Sequence, residues 1–287
     1  MPEGADGAVI ALGLGAAVAW GAADFGGGLA SRRSPLFGVA LVAPIVGLLA
    51  ALLIAIARGE PVPGPEDVAW SAVSGVFGAI GIVSLYGGLA AGRMGVVAPV
   101  TGVLAASVPV VVGIALEGVP AAGQVVGIGL AIVAVVLVSR AADGGPDDRP
   151  SGLPYALAAG FGLGLLAVTL SRVSDGLVFG PLVILRVVQI LLIAGTIAVA
   201  RRRWRLGPRM LPAVALVGLL DMAGNGLFLA AAQVGPLAIA AVLSSLYPVT
   251  TVILATAVLK ERLGRSHAVG ITCALLAIVL IAAGSAG

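Results

Sequence analysis

The sequence predicts an all-α membrane protein: ten transmembrane helices arranged as two inverted five-helix repeats. Three observations carry that expectation. The 287 residues are 60% hydrophobic and only 10% charged, whereas soluble domains average about 25% charged residues, so this chain has too few to cover a water-facing surface. Ten apolar runs follow one another with short polar spacers, each close to the roughly 20 residues that a spanning helix needs. The pattern that closes the first half of the chain returns, in looser form, at the end of the second half.

The runs take these places along the chain. The first, 8–30, ends before Arg32 and Arg33, and the second, 36–57, ends before Arg58. The third, 68–91, stops at Arg93, and the fourth, 95–116, passes through Pro109 to Glu117. The fifth, 121–139, meets Arg140. The spacer "AADGGPDDRP", from Ala141 to Pro150, is the evidently polar, turn-rich stretch of the chain. The sixth run is 152–173, and the seventh, 178–200, meets the basic segment "RRRWR" from Arg201 to Arg205. The eighth, ninth and tenth are 210–232, 236–259 and 266–285, with Lys260, Glu261 and Arg262 closing the ninth. Outer-membrane barrel strands would be about half as long and would alternate in polarity; these runs do not. The first seven residues contain Glu3 and Asp6 and no basic residue. A cleaved signal would need a positive start, so the first run is expected to be retained.

Basic residues set the expected orientation. Thirteen of the sixteen Lys and Arg residues fall in the loops after runs one, three, five, seven and nine. Positive charge stays on the cytoplasmic side, so both termini are expected to face outward from the inner (plasma) membrane. The net charge of +3 is spread over short spacers rather than gathered into a patch, which argues against nucleic acid as a partner. A single cysteine, Cys273, and a single histidine, His267, leave no internal disulfide and no usual metal site.

The repeat is read from two segments. "SSLYPVTTVILATAVLKER" runs from Ser244 to Arg262, and "LAASVPVVVGIALEG" from Leu104 to Gly118. Each holds a proline, Pro248 or Pro109, then a glutamate, Glu261 or Glu117, and leads into a Gly-bearing final run in which Gly270 matches Gly127. The chain therefore reads as a first repeat over 1–140, a linker over 141–150 and a second repeat over 151–287. Five spans per copy is an odd number, so the second copy is inverted. Inverted repeats mark secondary transporters, whose site lies near the midplane where the copies meet.

With these residues in view, the chain resembles the EamA-type transporters of the drug/metabolite transporter superfamily, amino-acid exporters among them. The resemblance implies ten spans in two inverted repeats. It also implies a proline-bearing helix, a Glu-Arg pair and a Gly-bearing last helix at the end of each repeat. The second repeat matches that ending; the first has Glu117-Gly118 in place of the pair. The function implied is export of small metabolites, amino acids in particular.

Charged and polar residues at membrane depth are the candidate site. A charge there costs about 2.5–3.5 kcal/mol on the insertion scale, so it tends to be functional or paired. Asp24, Arg186 and Asp221 are the three. At about 1.5 Å per residue, Arg186 and Asp221 lie at similar depths, which predicts a pair. That pair is either a neutralised bridge between two helices or a contact for a substrate's charged group. Asp24 lies deeper and is a candidate proton-coupling carboxylate. Trp20 and Asp24 share a helix face, as do Asp221 and Asn225. With Tyr86, Thr101, Ser107, Ser244 and Tyr247 they form the expected substrate-binding set, and Gln189 and Ser245 reach the same middle layer. Pro109 and Pro248 are the expected gating positions.

Three other readings compete. There is no HExxH, GxSxG or P-loop to support an intramembrane enzyme, so no catalytic residue, metal or cofactor is expected. A membrane scaffold or receptor would need a partner and carry no flux. Within transporters, the alternatives are a drug or cation exporter and a nucleotide-sugar or sugar-phosphate carrier. The last should need several cations facing its cavity, and Arg186 alone is at that depth. The expected partners are therefore a small-molecule substrate and the lipid bilayer, and a monomer suffices for this reading.

Overall fold

The computed structural model describes residues 3–117, 152–174, 176–234, 246–260 and 265–284, together with scattered residues within 123–137 and residues 243–244. Most of the described residues are helical, with no strand among them. The first repeat contributes α1 (Glu3–Arg33), α2 (Leu36–Arg58), α3 (Pro65–Ala91) and α4 (Met94–Glu117). The second contributes α5 (Leu153–Leu170), α6 (Phe179–Val199), α7 (Leu211–Val234), α8 (Tyr247–Leu259) and α9 (Arg265–Gly284). Helical residues within 123–137 fall where the fifth expected span lies, so α5 to α9 correspond to spans six to ten. The linker 141–150, Ser245 and the pair Glu261-Arg262 lie outside the described residues.

Local chemistry explains the helix ends. Gly59 closes α2 with φ 62° and ψ 34°, and its N–H reaches the last carbonyls of that helix, a left-handed cap that glycine adopts without steric penalty. Pro65 opens α3, where a missing N–H leaves no bond unmade. Lys260 caps α8 in the left-handed region at φ 56°, so the helix stops at the first residue of the charged triplet.

Six helical segments among the described residues are long and apolar enough to cross a membrane: Gly7–Arg33, Leu36–Arg58, Pro65–Ala91, Leu153–Leu170, Phe179–Val199 and Pro208–Ala231. Shorter apolar stretches are Met94–Ala105, Tyr247–Leu259 and Ala268–Leu280. Large apolar side chains point outward around the bundle, among them Leu53, Ile56, Leu191, Leu216 and Ile253. An exposed apolar belt of that extent suits lipid, not water.

The ninth span differs from expectation. Pro248 was expected inside a continuous helix over 236–259, where it would kink the backbone. Instead a turn at Leu246 precedes α8, and Pro248 occupies the first turn of the new helix. Proline fits there because the first N–H groups of a helix have no partner in any case. The ring packs under α4, where a Cβ on Gly102 would approach it at 2.7 Å.

The most extensive helix packing joins the two repeats. α3 lies against α5 and α6, α1 against α7 and α8, α4 against α5, and α2 against α6 and α7. The main core accordingly mixes Ala23, Val39, Leu89 and Val97 with Ala156, Ile193, Val217 and Ala255. Val103 of α4, Ala134, and Ala274 and Ile278 of α9 form a second cluster. Glycines permit the closest crossings. A side chain at Gly21 would overlap the Tyr247 carbonyl and Thr250, and Thr251 donates to the Gly21 carbonyl at 3.1 Å, so α1 and α8 touch backbone to backbone.

Candidate functional site

The cavity lies between α1, α3, α5, α6, α7 and α8, with a volume of about 330 Å³. That is near the lower end of the roughly 300–1,000 Å³ typical of ligand pockets. Leucines from α3, α5 and α6 line it together with polar residues from α1, α6 and α7.

Helical spacing aims the polar residues. Trp20 and Asp24 lie one turn apart on α1, and both line the cavity. Asp221 and Asn225 repeat that spacing on α7. Arg186 and Gln189 are three apart on α6 and share a face. The expected bridge is formed: the Arg186 Nη2 donates to Asp221 Oδ2. Its Nη1 donates to Gln189 Oε1 at 3.0 Å, and Gln189 Nε2 donates to the Gly78 carbonyl of α3 at 3.2 Å. A chain of bonds thus crosses from α7 through α6 to α3. Asn225 turns its amide back to the Asp221 carbonyl at 2.8 Å.

Asp24 differs from Asp221. Among the described residues its carboxylate makes no hydrogen bond or ion pair, although it faces the same cavity. Beside it, Trp20 meets Tyr247 edge to face, with ring centroids 6.5 Å apart at 82°. Phe228 of α7 supports Trp20 from the other side at 5.9 Å. Such pairs hold their rings in fixed orientations.

Six of the ten expected binding residues therefore line the cavity: Trp20, Asp24, Arg186, Asp221, Asn225 and Tyr247. The other four are not among its lining residues. Tyr86 is 3% exposed and fills the space that a Gly27 side chain would take, next to Leu85 of the lining. Thr101 is buried and donates to the Ala156 carbonyl at 3.3 Å, tying α4 to α5. Ser107 donates to Val103 of its own helix at 2.7 Å. Ser244 is buried. The side chain of Pro109 lies outside the described residues.

The binding set drawn from the sequence omitted Gln189, which belongs to the polar chain, and Phe228, which backs Trp20. Gln189 has a local signal, since it follows Arg186 by three positions; Phe228 has none. A second polar cluster also went unread. Near the start of α6, Glu60 takes three backbone N–H groups, and Asp67 Oδ1 accepts from the Ser174 N–H at 2.9 Å and hydroxyl at 3.0 Å. These contacts join positions more than 100 apart in sequence, so no local pattern announces them.

Comparison with known proteins bears on the family and the fold. The family model described as "EamA-like transporter family" matches residues 7–140 and again 150–283. A solved structure described only as "Crystal structure of protein" aligns with a TM-score of 0.59 at 18% identity, covering 96% of this chain and 97% of that one. At that identity the likeness concerns the fold. No curated protein matches the chain.

Proposed function

Since the chain belongs to the EamA-like transporter family and is a multi-pass membrane protein, we propose that it exports small solutes joining an amino group to an apolar body, with aromatic and large neutral amino acids as the first members to test. The observation that carries this reading is the cavity itself. Its size suits a small metabolite, its leucines and the Trp20–Tyr247 pair suit an apolar or aromatic body, and its charged residues suit a polar head.

Transport proceeds by alternating access, from the cytoplasm outward across the inner membrane, with both termini outside. The first repeat, 1–140, and the second, 151–287, are interleaved, so rigid rocking of one against the other would break most helix contacts. The moving groups therefore include helices of both repeats. The break before α8, at Leu246 and Pro248, and the helix bearing Pro109 are the bending points.

Counterflow in proteoliposomes tests the reading. Saturable exchange of labelled phenylalanine, tryptophan or leucine supports it, and fluxes equal to those of empty liposomes remove the amino-acid assignment. A scaffold or receptor would show no flux for any solute. One observation favours a second reading, export of amphipathic organic cations: the unpartnered carboxylate of Asp24 in the cavity wall. A phosphorylated sugar has less support, because the one basic residue among the described lining residues, Arg186, is already held by Asp221.

A further inference from the structure

We propose that Asp24 is the ammonium subsite of this cavity, and that the solute is recognised by its cationic amine and apolar body without any demand for a carboxylate. This deepens the transporter reading above and rests on it.

The argument starts from which charges are already engaged. Arg186 is the one cation among the described lining residues. Its two terminal nitrogens serve Asp221 and Gln189, and its side chain is only 12% exposed. Its Nε has no partner but is buried out of solvent contact, so an incoming carboxylate cannot reach it without breaking the bridge. A buried charge pair is costly to break, because the partner left behind is uncompensated. Arg186 therefore spends its charge on Asp221 and brings no net positive charge to the cavity for a substrate anion.

Asp24 remains. With Arg186 and Asp221 matched, Asp24 is the one acidic group of the described lining left without a countercharge. In a site of low dielectric, an unpaired charge is strongly disfavoured and a matching countercharge strongly attracted. A cationic solute supplies the countercharge that an ionised Asp24 lacks, whereas a zwitterion also brings its own carboxylate close to Asp24. The neighbouring rings point the same way. Trp20 stands one turn from Asp24, edge to face with Tyr247, and aromatic faces attract ammonium groups. The leucines that also line the cavity receive the apolar body.

Among the described lining residues the one cation, Arg186, is paired with Asp221 rather than with Asp24. Asp221 faces Asp24 from α7, and Tyr86 of α3 and Tyr247 of α8 share its electrostatic environment.

Isothermal titration of the purified full chain in detergent tests this with three ligands that share one aromatic skeleton: phenethylamine, phenylalanine and N-acetylphenylalanine. The expected result is that phenethylamine binds at least tenfold more tightly than phenylalanine, with no binding of N-acetylphenylalanine. Asp24→Asn should weaken phenethylamine at least tenfold, and Asp24→Glu should restore most of the affinity. Circular dichroism of both variants separates loss of binding from loss of fold. If Asp24→Asn does not fold, the ligand order on the unmodified chain decides. Phenylalanine binding more tightly than phenethylamine would overturn the proposal and leave the exporter reading standing. N-acetylphenylalanine binding would do the same. Absence of binding by all three would overturn it too, and flux of phenylalanine in proteoliposomes would then decide whether the parent reading survives.

Discussion

The carboxylate of Glu60, between α2 and α3, accepts the backbone N–H of Val178 at 2.7 Å, of Phe179 at 3.0 Å and of Gly180 at 2.8 Å. Those N–H groups belong to the start of α6, where a helix leaves its first donors unmatched and its dipole favours an anion. A first-repeat side chain thus fastens the helix that carries Arg186. Glu60→Ala should lower stability by about 2 kcal/mol, as expected for hydrogen bonds to a charged acceptor, and thermal melting of the purified protein measures it. Cysteines placed at Glu60 and Val178 and then oxidised should arrest transport, if this contact opens during the cycle; unchanged flux in the cross-linked protein would show that the two loops stay together throughout.

The Arg186–Asp221 bridge should behave as a unit. Arg186→Gln alone should cost on the order of 1–3 kcal/mol, because it leaves the partly exposed Asp221 in the cavity wall without its countercharge. Combining it with Asp221→Asn should recover most of that loss. A melting series of both single variants and the double variant gives the coupling directly, and additive losses would argue against the bridge.

Trp20 supplies aromatic surface and Asp24 supplies charge. Trp20→Ala should weaken aromatic solutes by on the order of 1 kcal/mol, roughly a fivefold drop in apparent affinity, while Trp20→Phe should be nearly neutral. Competition against a fixed labelled solute in the exchange assay reads this out. Equal losses for aliphatic and aromatic solutes would point to collapse of the cavity instead.

At the crossing of α1 and α8, Gly21 allows contact that no side chain could share. Gly21→Val should destabilise by about 1–3 kcal/mol through overpacking, visible as reduced monodispersity and melting temperature. Gly7→Ala is the control, since nothing lies near that position.

Orientation follows from the distribution of basic residues and can be measured in cells. In a Cys273→Ser background, a cysteine at Glu66 should react with a membrane-impermeant maleimide added outside, and one at Arg33 should not. The reverse pattern would invert the export direction.

What the sequence determined by itself was everything that hydrophobic length and depth decide. Apart from the fifth and ninth, the apolar runs appear as helices within a few residues of their expected ends, because in lipid each segment must satisfy its own backbone and its limits are therefore local. The Arg186–Asp221 bridge was legible for the same reason: a fixed rise per residue and a fixed membrane thickness turn sequence position into depth. Depth says nothing about rotation or neighbours, and there the tertiary structure decided. Thr101 and Ser107 lie at useful depths, yet one bonds a neighbouring helix and the other its own. Pro248 begins a helix because the chain turns at Leu246, and Glu60 finds its partners 118 to 120 residues away. The interleaving of the repeats belongs to the same class, because which helices meet depends on side-chain packing around the whole bundle. That packing also leaves Asp24 facing the cavity with no partner among the described residues, while Asp221 acquires one.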